Sequence, residues 1–495
     1  MEAELSKRMK LLLVIGLWLG ATAAQTASAQ GPQQGSAAPS LQAGAQGSSP
    51  AVSMLMSNQS QSPLEGSVPD AKPTPGVLQL TIKDALDRGL KHNLGLLLDS
   101  EATRVERGRR WNALSELLPH VSAHVSETTQ QVNLKALGIP SFPGLPSVVG
   151  PFSVFDARAN LSQSVFNFGS LENLKAAAKN VQAAQYTAKD ARDLVLLVVG
   201  NAYLLANADA ARVEAAEAEM NTAAALHDKA QDMLKAGLTP SIDELRAKVE
   251  LQTRQQQLIV ARNDFAKQKL NLARAIGLAE GQEFTLAEKT PYAPFEPPSL
   301  ENELGRAFAS RSDYQSALAQ LRAAELARKA AAAERYPSLG LNADYGDIGL
   351  EPGNSHGTFS VAGTLSLPLF QGGRIKGDII EADALLKQRR AEVADLHARI
   401  DYEVRTARLD LKAASDQVGV AKSQLDLAQQ TLAQAQDRFG AGVVDNLEVV
   451  QAQDNVAAAN DAYISSLYAH NVSKVQLARA VGVAEQAVMQ YLGGK

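Results

Sequence analysis

His120 and His124 lie four residues apart, the spacing that sets two imidazoles on one face of a helix where they can share a metal ion. Here they follow Pro119 in a run that alternates apolar and polar residues, so both fall on the polar side of a strand and read as lumen or surface residues. Gly363, Gly372 and Gly373 precede no Gly-Lys-Ser/Thr tag and make no phosphate-binding loop. Serine, histidine and aspartate all occur, but no nucleophile elbow is read that would aim a serine at a base. The 495 residues include no cysteine, which removes disulfides, thiolate metal sites, cysteine nucleophiles and the lipid-bearing cysteine of a lipoprotein. No catalytic, cofactor or metal constellation remains.

The elements holding these residues are written twice. Leu272-Ala-Arg-Ala-Ile-Gly-Leu278 recurs as Leu477-Ala-Arg-Ala-Val-Gly-Val483, an offset of 477 − 272 = 205 residues. Ala236-Gly237-Leu238 and Ala441-Gly442-Val443 are also 205 apart, and Leu161–Gly169 precedes Leu365–Gly373 by 204. A period this long is one large unit in tandem, not a solenoid of short repeats.

Both halves run through the same signals. A short helix, Thr81–Asn93 or Leu300–Arg311, continues to a proline at Pro119 or Pro337, and the hydrophobic period then changes from 3.6 to 2. Val121, Ala123 and Val125 alternate with polar residues, as do Leu339, Leu341, Ala343 and Tyr345. A turn-rich segment follows, read as a loop over Gly138–Pro151 in the first half and carrying Glu351-Pro-Gly-Asn354 in the second, and a second alternating run returns through Phe155–Leu161 or Phe359–Leu367. Roughly ten-residue strands of this kind can cross a bilayer at a tilt. Ser170–Ala236 and Arg374–Gly440 then contain no proline, and as helices they would be on the order of 100 Å long. Helices of that length must pack lengthwise on neighbours. Ala-Gly turns stop them, and new helices restart at Ser241 and Asn446 to end at Gly277 and Gly482. Asp243 and Glu448 sit in the first turn of the restarting helices, where a carboxylate offsets the helix dipole. The charge-rich stretches Arg104–Arg110 and Lys387–Arg390 read as solvated helix faces.

Residues 1–29 read as a signal peptide, with Lys7, Arg8 and Lys10 before the apolar run Leu11–Leu19 and the cleavage site Ala27-Ser28-Ala29. Losing three basic and two acidic residues moves the net charge from −5 to about −6, which carries no nucleic-acid signal. Residues 30–76 read as a disordered low-complexity linker. No later stretch of about 18 apolar residues is read, which argues against a helical membrane protein. Four strands cannot close a barrel, and open edges inside a membrane would leave amides unpaired. Three chains would supply twelve strands above a ring of helices.

The chain resembles the TolC-like outer membrane efflux (outer membrane factor) family. The resemblance is carried by Leu80-Thr-Ile-Lys-Asp-Ala-Leu86 with His92-Asn93, by Leu117-Leu-Pro119 and Tyr336-Pro-Ser-Leu339, by Leu365–Gly373, and by Ala441–Ala452. It implies a mostly α fold with a membrane β-barrel: long antiparallel coiled-coil helices form a periplasmic α-barrel, and four strands per chain contribute to a twelve-stranded trimeric barrel. The two efflux repeats would span 77–295 and 296–495. The implied function is a passive duct of a tripartite efflux or type I secretion-like system, a homotrimer in outer membrane lipid with a large periplasmic part. Its implied partners are a periplasmic adaptor and an inner-membrane transporter, with no cofactor. The resemblance assigns the gate and adaptor-docking tip to Gly237, Leu238, Thr239, Asp243, Gly442, Val443, Val444, Glu448 and Gln451. Three copies of a carboxylate converging on an axis repel one another and attract cations. Asp243 and Glu448 match family acids, Gln451 leaves one ring position uncharged, and Val444 replaces an arginine that locks some members closed. The rival reading is a soluble periplasmic coiled-coil adaptor or scaffold, for which one helical hairpin and a lipoyl-like domain are expected.

Overall fold

The computed structural model describes residues 63–69, 72–73, 75–136, 146–288 and 292–485. The signal peptide and most of the 30–76 linker and of the 138–151 loop lie outside the described residues.

Within Ser60–Lys495, one unit by internal contacts, each half follows the expected order. The first half runs β1 (Leu78–Leu80), α1 (Ile82–His92), α2 (Leu94–Ser115), β2 (His120–Asn133), β3 (Val148–Phe166), α3 (Phe168–Lys235) and α4 (Ser241–Ala275). After β4 (Phe284–Leu286) the second half runs α5 (Leu300–Ser310), α6 (Ser312–Ala333), β5 (Ser338–Gly349), β6 (Ser355–Ser366), α7 (Arg374–Gly440) and α8 (Asn446–Ala480). The leading helical segment of each half, read as Thr81–Asn93 or Leu300–Arg311 with a continuation, is two helices meeting at a single extended residue. Asn93 (φ −62°, ψ 129°) and Arg311 (φ −61°, ψ 121°) serve at once as the last cap of one helix and the first cap of the next.

The 68 residues of α3 and the 67 of α7 would each rise about 100 Å. Both stop in the same hydrogen-bonded turn. Gly237 takes φ 72° while its amide reaches Leu234 and the Leu238 amide reaches Met233; Gly442 takes φ 70° with matching bonds from Gly442 to Phe439 and from Val443 to Arg438. This left-handed glycine cap satisfies the last carbonyls of a helix and turns the chain back. The returning helices end the same way at Gly277 and Gly482.

The duplicated tag proves to be core. Leu272 and Ile276 pack with Leu80, Val195, Val199 and Tyr203, while their counterparts Leu477 and Val481 pack with Ile400, Val404 and Leu411. A third cluster at the far end joins Leu226, Ala230 and Ala247 to Ala435, Phe439 and Val449. Three-residue β1 and β4 pair in parallel and bury Leu80 and Phe284; they are too short to show a period. Between the halves, fully buried Lys474 donates to the Ala293 carbonyl, and the Tyr292 ring lies 5.1 Å from His470. Burial pushes Lys474 down to about 8, and burial together with Lys474 pushes His470 down to about 4.

Two sequence expectations need correction. One window of α3 has a mean hydropathy of 1.6 and could cross a membrane by length and composition, although no such stretch was expected. Half of that window is buried within the chain, because α3 must pack on both neighbouring short helices and on the returning helices. In addition, Gly353-Asn354-Ser355-His356-Gly357 does spell Gly-x-Ser-x-Gly. It lies in the β5–β6 hairpin, not in the strand-to-helix turn that exposes a catalytic serine.

Candidate functional site: a one-sided sheet and a paired helical tip

The four long strands form one antiparallel sheet in the order β2-β3-β5-β6, and within the chain β2 and β6 are its edges. At 14, 19, 12 and 12 residues they exceed the expected ten, and β3 takes in Val148–Pro151 of what was read as loop. Pairing places residues of like parity in common rows. Val121, Leu161, Ala343 and Val361 form one row; Ala123, Ala159, Tyr345 and Phe359 form the next. These odd-numbered residues all lie on one face, and its large side chains stand open, Val121 at 74% exposure and Phe359 at 76%.

The even-numbered face is polar: Ser122, Asn160, Asp344 and Ser360 share a row, and His120, Ser162 and Asn342 share another. Arg158 pairs at 2.7 Å with both Asp156 and Asp344. The place beside Arg158 on β5 must be glycine, because a Cβ at Gly346 would lie 2.3 Å from the Arg158 Cβ. His120 and His124 therefore occupy one polar strand face, as the alternation predicts.

Aromatic residues mark both ends of the apolar face. Tyr345 and Phe359 lie toward the hairpin, while Phe166, Phe168 and Tyr336 cluster edge to face at the helical end, with ring centres 4.3 and 5.7 Å apart. An exposed apolar band between aromatic girdles, backed by a polar face, is the surface of a transmembrane barrel wall.

At the opposite end the structure brings the two helical turns together. The Asn446 side chain, fully buried, donates to the Asp243 carbonyl. Asp243 is only 3% exposed and pairs with Arg246, which also approaches Asp445 at 3.7 Å. Glu448 pairs with Arg438 of α7 at 2.6 Å. Asp243 and Glu448 are each the third residue of their helix, so the dipole role and the tip position coincide.

Leu238 and Val443 project at 73% and 69% exposure, whereas Val444 packs on the third cluster instead of joining them. The Thr239 hydroxyl is buried with no hydrogen-bond partner, and Gln451 is exposed. Sequence reasoning missed Arg246 and Arg438. Arg246 was visible as the i+3 partner of Asp243. Arg438 was not, because only the folded turn carries it back to Glu448.

Long helices continuous with a one-sided membrane sheet define an outer membrane channel subunit. A sequence profile of the outer membrane efflux protein family matches residues 113–278 and 304–483, most of both halves, and the chain belongs to that family. It is 22% identical over 402 residues to the probable outer membrane lipoprotein SilC of Salmonella typhimurium, covering 78% of this chain and 85% of SilC. To the toluene efflux pump outer membrane protein TtgF of Pseudomonas putida it is 24% identical over 383 residues, covering 74% and 76%.

Its fold matches the outer membrane protein VceC of Vibrio cholerae with a TM-score of 0.69 at 18% identity, over 81% of this chain and 96% of VceC. It matches CusC with a TM-score of 0.69 at 17% identity, over 84% and 99%. The chain is thus an outer membrane efflux channel protein, and the soluble adaptor reading is not favoured.

Proposed function

We propose that three copies join edge to edge, β6 of one to β2 of the next, and close a twelve-stranded barrel above a tunnel of twelve helical strands. The observation that carries this is the sheet itself: it exposes an apolar band to lipid yet has two edges whose amides must be paired inside a membrane. Each repeat, 77–295 and 296–495, supplies one strand pair and one helical hairpin. The assembly is a passive duct without catalysis of its own. It takes small molecules or proteins from an inner-membrane transporter through a periplasmic adaptor docked at the helical tip.

At that tip Gly237, Leu238, Thr239, Asp243, Gly442, Val443, Val444, Glu448 and Gln451 form the gate. Arginine ion pairs to Asp243 and Glu448, made by Arg246 and Arg438, replace a lock at Val444. SilC is named a lipoprotein, whereas this sequence has no cysteine to carry a lipid, so the barrel is the anchor supported here. The missing cysteines also make the test clean. One cysteine introduced on β2 and one on β6 should cross-link purified membrane fractions into covalent trimers. Recovery as a soluble monomer would sink the proposal.

A further inference from the structure

Three of the seven histidines, His120, His124 and His356, lie on the polar face of the sheet. Strand register sets them in consecutive rows with every charged residue of that face. Asp156 shares a row with Ser126, Ile348 and His356; Arg158 with His124, Gly346 and Thr358; Asp344 with Ser122, Asn160 and Ser360; and His120 with Ser162, Asn342 and Ala362. These rows back directly onto Val121, Tyr345 and Phe359, so the belt lies at the height of the apolar band. All three histidines are exposed on the single chain.

The charged groups facing them are Asp156 and Arg158 from β3 and Asp344 from β5; Glu127 and Asp347 belong to the other face. Arg158 is held between the two aspartates. One arginine against two aspartates leaves one negative charge per chain. Histidine is the side chain that gains charge between about pH 8 and 5, whereas free carboxylates stay ionised until about pH 4. Three protonated histidines would take the belt from one negative to two positive charges per chain, tripled in a trimer.

We propose that this belt reverses the charge preference of the barrel lumen on acidification, favouring cationic solutes at neutral pH and anionic solutes in acid. Fixed charges around a water-filled pore select by sign, and the low-dielectric wall behind them strengthens the effect. The proposal rests on the reading of the polar face as the lumen.

The test is the reversal potential of the full-length protein in a neutral-lipid bilayer across a potassium chloride gradient, at about pH 7.5 and about pH 5. The wild type should reverse the sign of its reversal potential between the two. The triple variant H120Q/H124Q/H356Q should keep its neutral-pH sign in acid, and His124→Gln alone should reverse only in part. An equal shift in wild type and triple variant, or no shift in wild type, would overturn the proposal. Failure of the lumen reading shows separately. A charged, water-soluble thiol reagent should alter the conductance of His124→Cys and leave Val125→Cys unchanged, and the opposite pattern would remove the lumen assignment itself.

Discussion

Gly277 and Gly482 hold the same place in the two repeats, ending the returning helices at φ 66° and 76°, yet each rests on a different kind of joint. A Cβ on Gly277 would lie 2.5 Å from the His92 Cβ, beside Asn93; one on Gly482 would lie 2.8 Å from the Arg311 amide nitrogen. Asn93 solves its break with neutral hydrogen bonds: its side chain accepts from the Leu96 amide and donates to the Leu64 carbonyl at 2.6 Å. Arg311 solves the same break with charge. Its guanidinium, 3% exposed, binds Asp313 at 2.6 Å and also Glu403, while Arg479 of the second tag binds Asp190 and approaches Asp313. One backbone geometry is thus held by an amide in one repeat and by an ion network across four helices in the other. Salt, pH and mutation should act on the two unequally.

The largest expected difference comes from removing the joint residues. Arg311→Met leaves Asp313 and Glu403 without their principal cation in a partly buried place, a loss of about 3–5 kcal/mol. Asn93→Ala removes a cap and one donor and should cost about 1–2 kcal/mol. Thermal unfolding of the detergent-solubilised protein followed by circular dichroism measures both. Equal losses would erase the proposed contrast.

The pH dependence sharpens it. Burial, with added repulsion from Asp313 and Asp193, outweighs the nearby Arg479 and pushes Asp190 up to about 6. The folded chain therefore binds this proton more tightly than the unfolded chain, whose aspartate titrates near 4. Stability from Asp190 is fully present below about pH 4 and is lost as pH rises through 6, by at most about 3 kcal/mol. Asp313 works in the opposite direction: burial raises its carboxyl, but bonding to Arg311 holds it below the ordinary value, so its contribution is lost only in stronger acid. Between about pH 5 and 7 the Asp190 contribution falls while that of buried His470, held down to about 4, rises, so Asp190→Asn should make the slope of stability against pH more positive than in the wild type. An unchanged slope in the variant would move its origin elsewhere.

Glycine substitutions compare the ends of the returning helices with the tip. At Gly277 and Gly482 an alanine meets both a left-handed backbone and a close neighbour, and should cost about 1–3 kcal/mol. Nothing lies within 4 Å of the Cβ position at Gly237 and Gly442, so only the backbone strain remains, about 1 kcal/mol. Equal losses in thermal unfolding at all four sites would show that conformation alone governs these turns.

The order of elements, the long helices, both glycine turns and the strand alternation could be read from Pro119, Pro337, the Ala-Gly pairs and the repeated tag, because each is a local rule with a fixed period. What stayed hidden was contact between distant segments. Asn93 and Arg311 bear no sequence resemblance, although one break serves both repeats. β1 and β4 are too short to alternate. Arg254, 3% exposed, has Glu250 four residues before it on its own helix, as helical spacing allows, but it also gathers Glu219 and Asp454 from two other helices, and no spacing rule brings those in. Likewise Val444 could be seen to lack a charge, but its turn inward onto Phe439 and Val449 depends on packing.

The smallest stability effect, and the most direct test of function, concerns Glu448. Its pair with Arg438 is more than a third exposed on both sides, so Glu448→Ala should change stability by less than about 1 kcal/mol. Asp243 differs, since it is buried and shares its helix turn with Arg246. If three Glu448 side chains ring the opening, removing them lowers the local attraction for divalent cations without loosening the turn. Bilayer recordings should then show weaker block by a divalent cation, with higher single-channel conductance and little change in melting. Unchanged block with unchanged melting would leave Glu448 as a helix-dipole residue and shift the gate to Asp243, Leu238 and Val443.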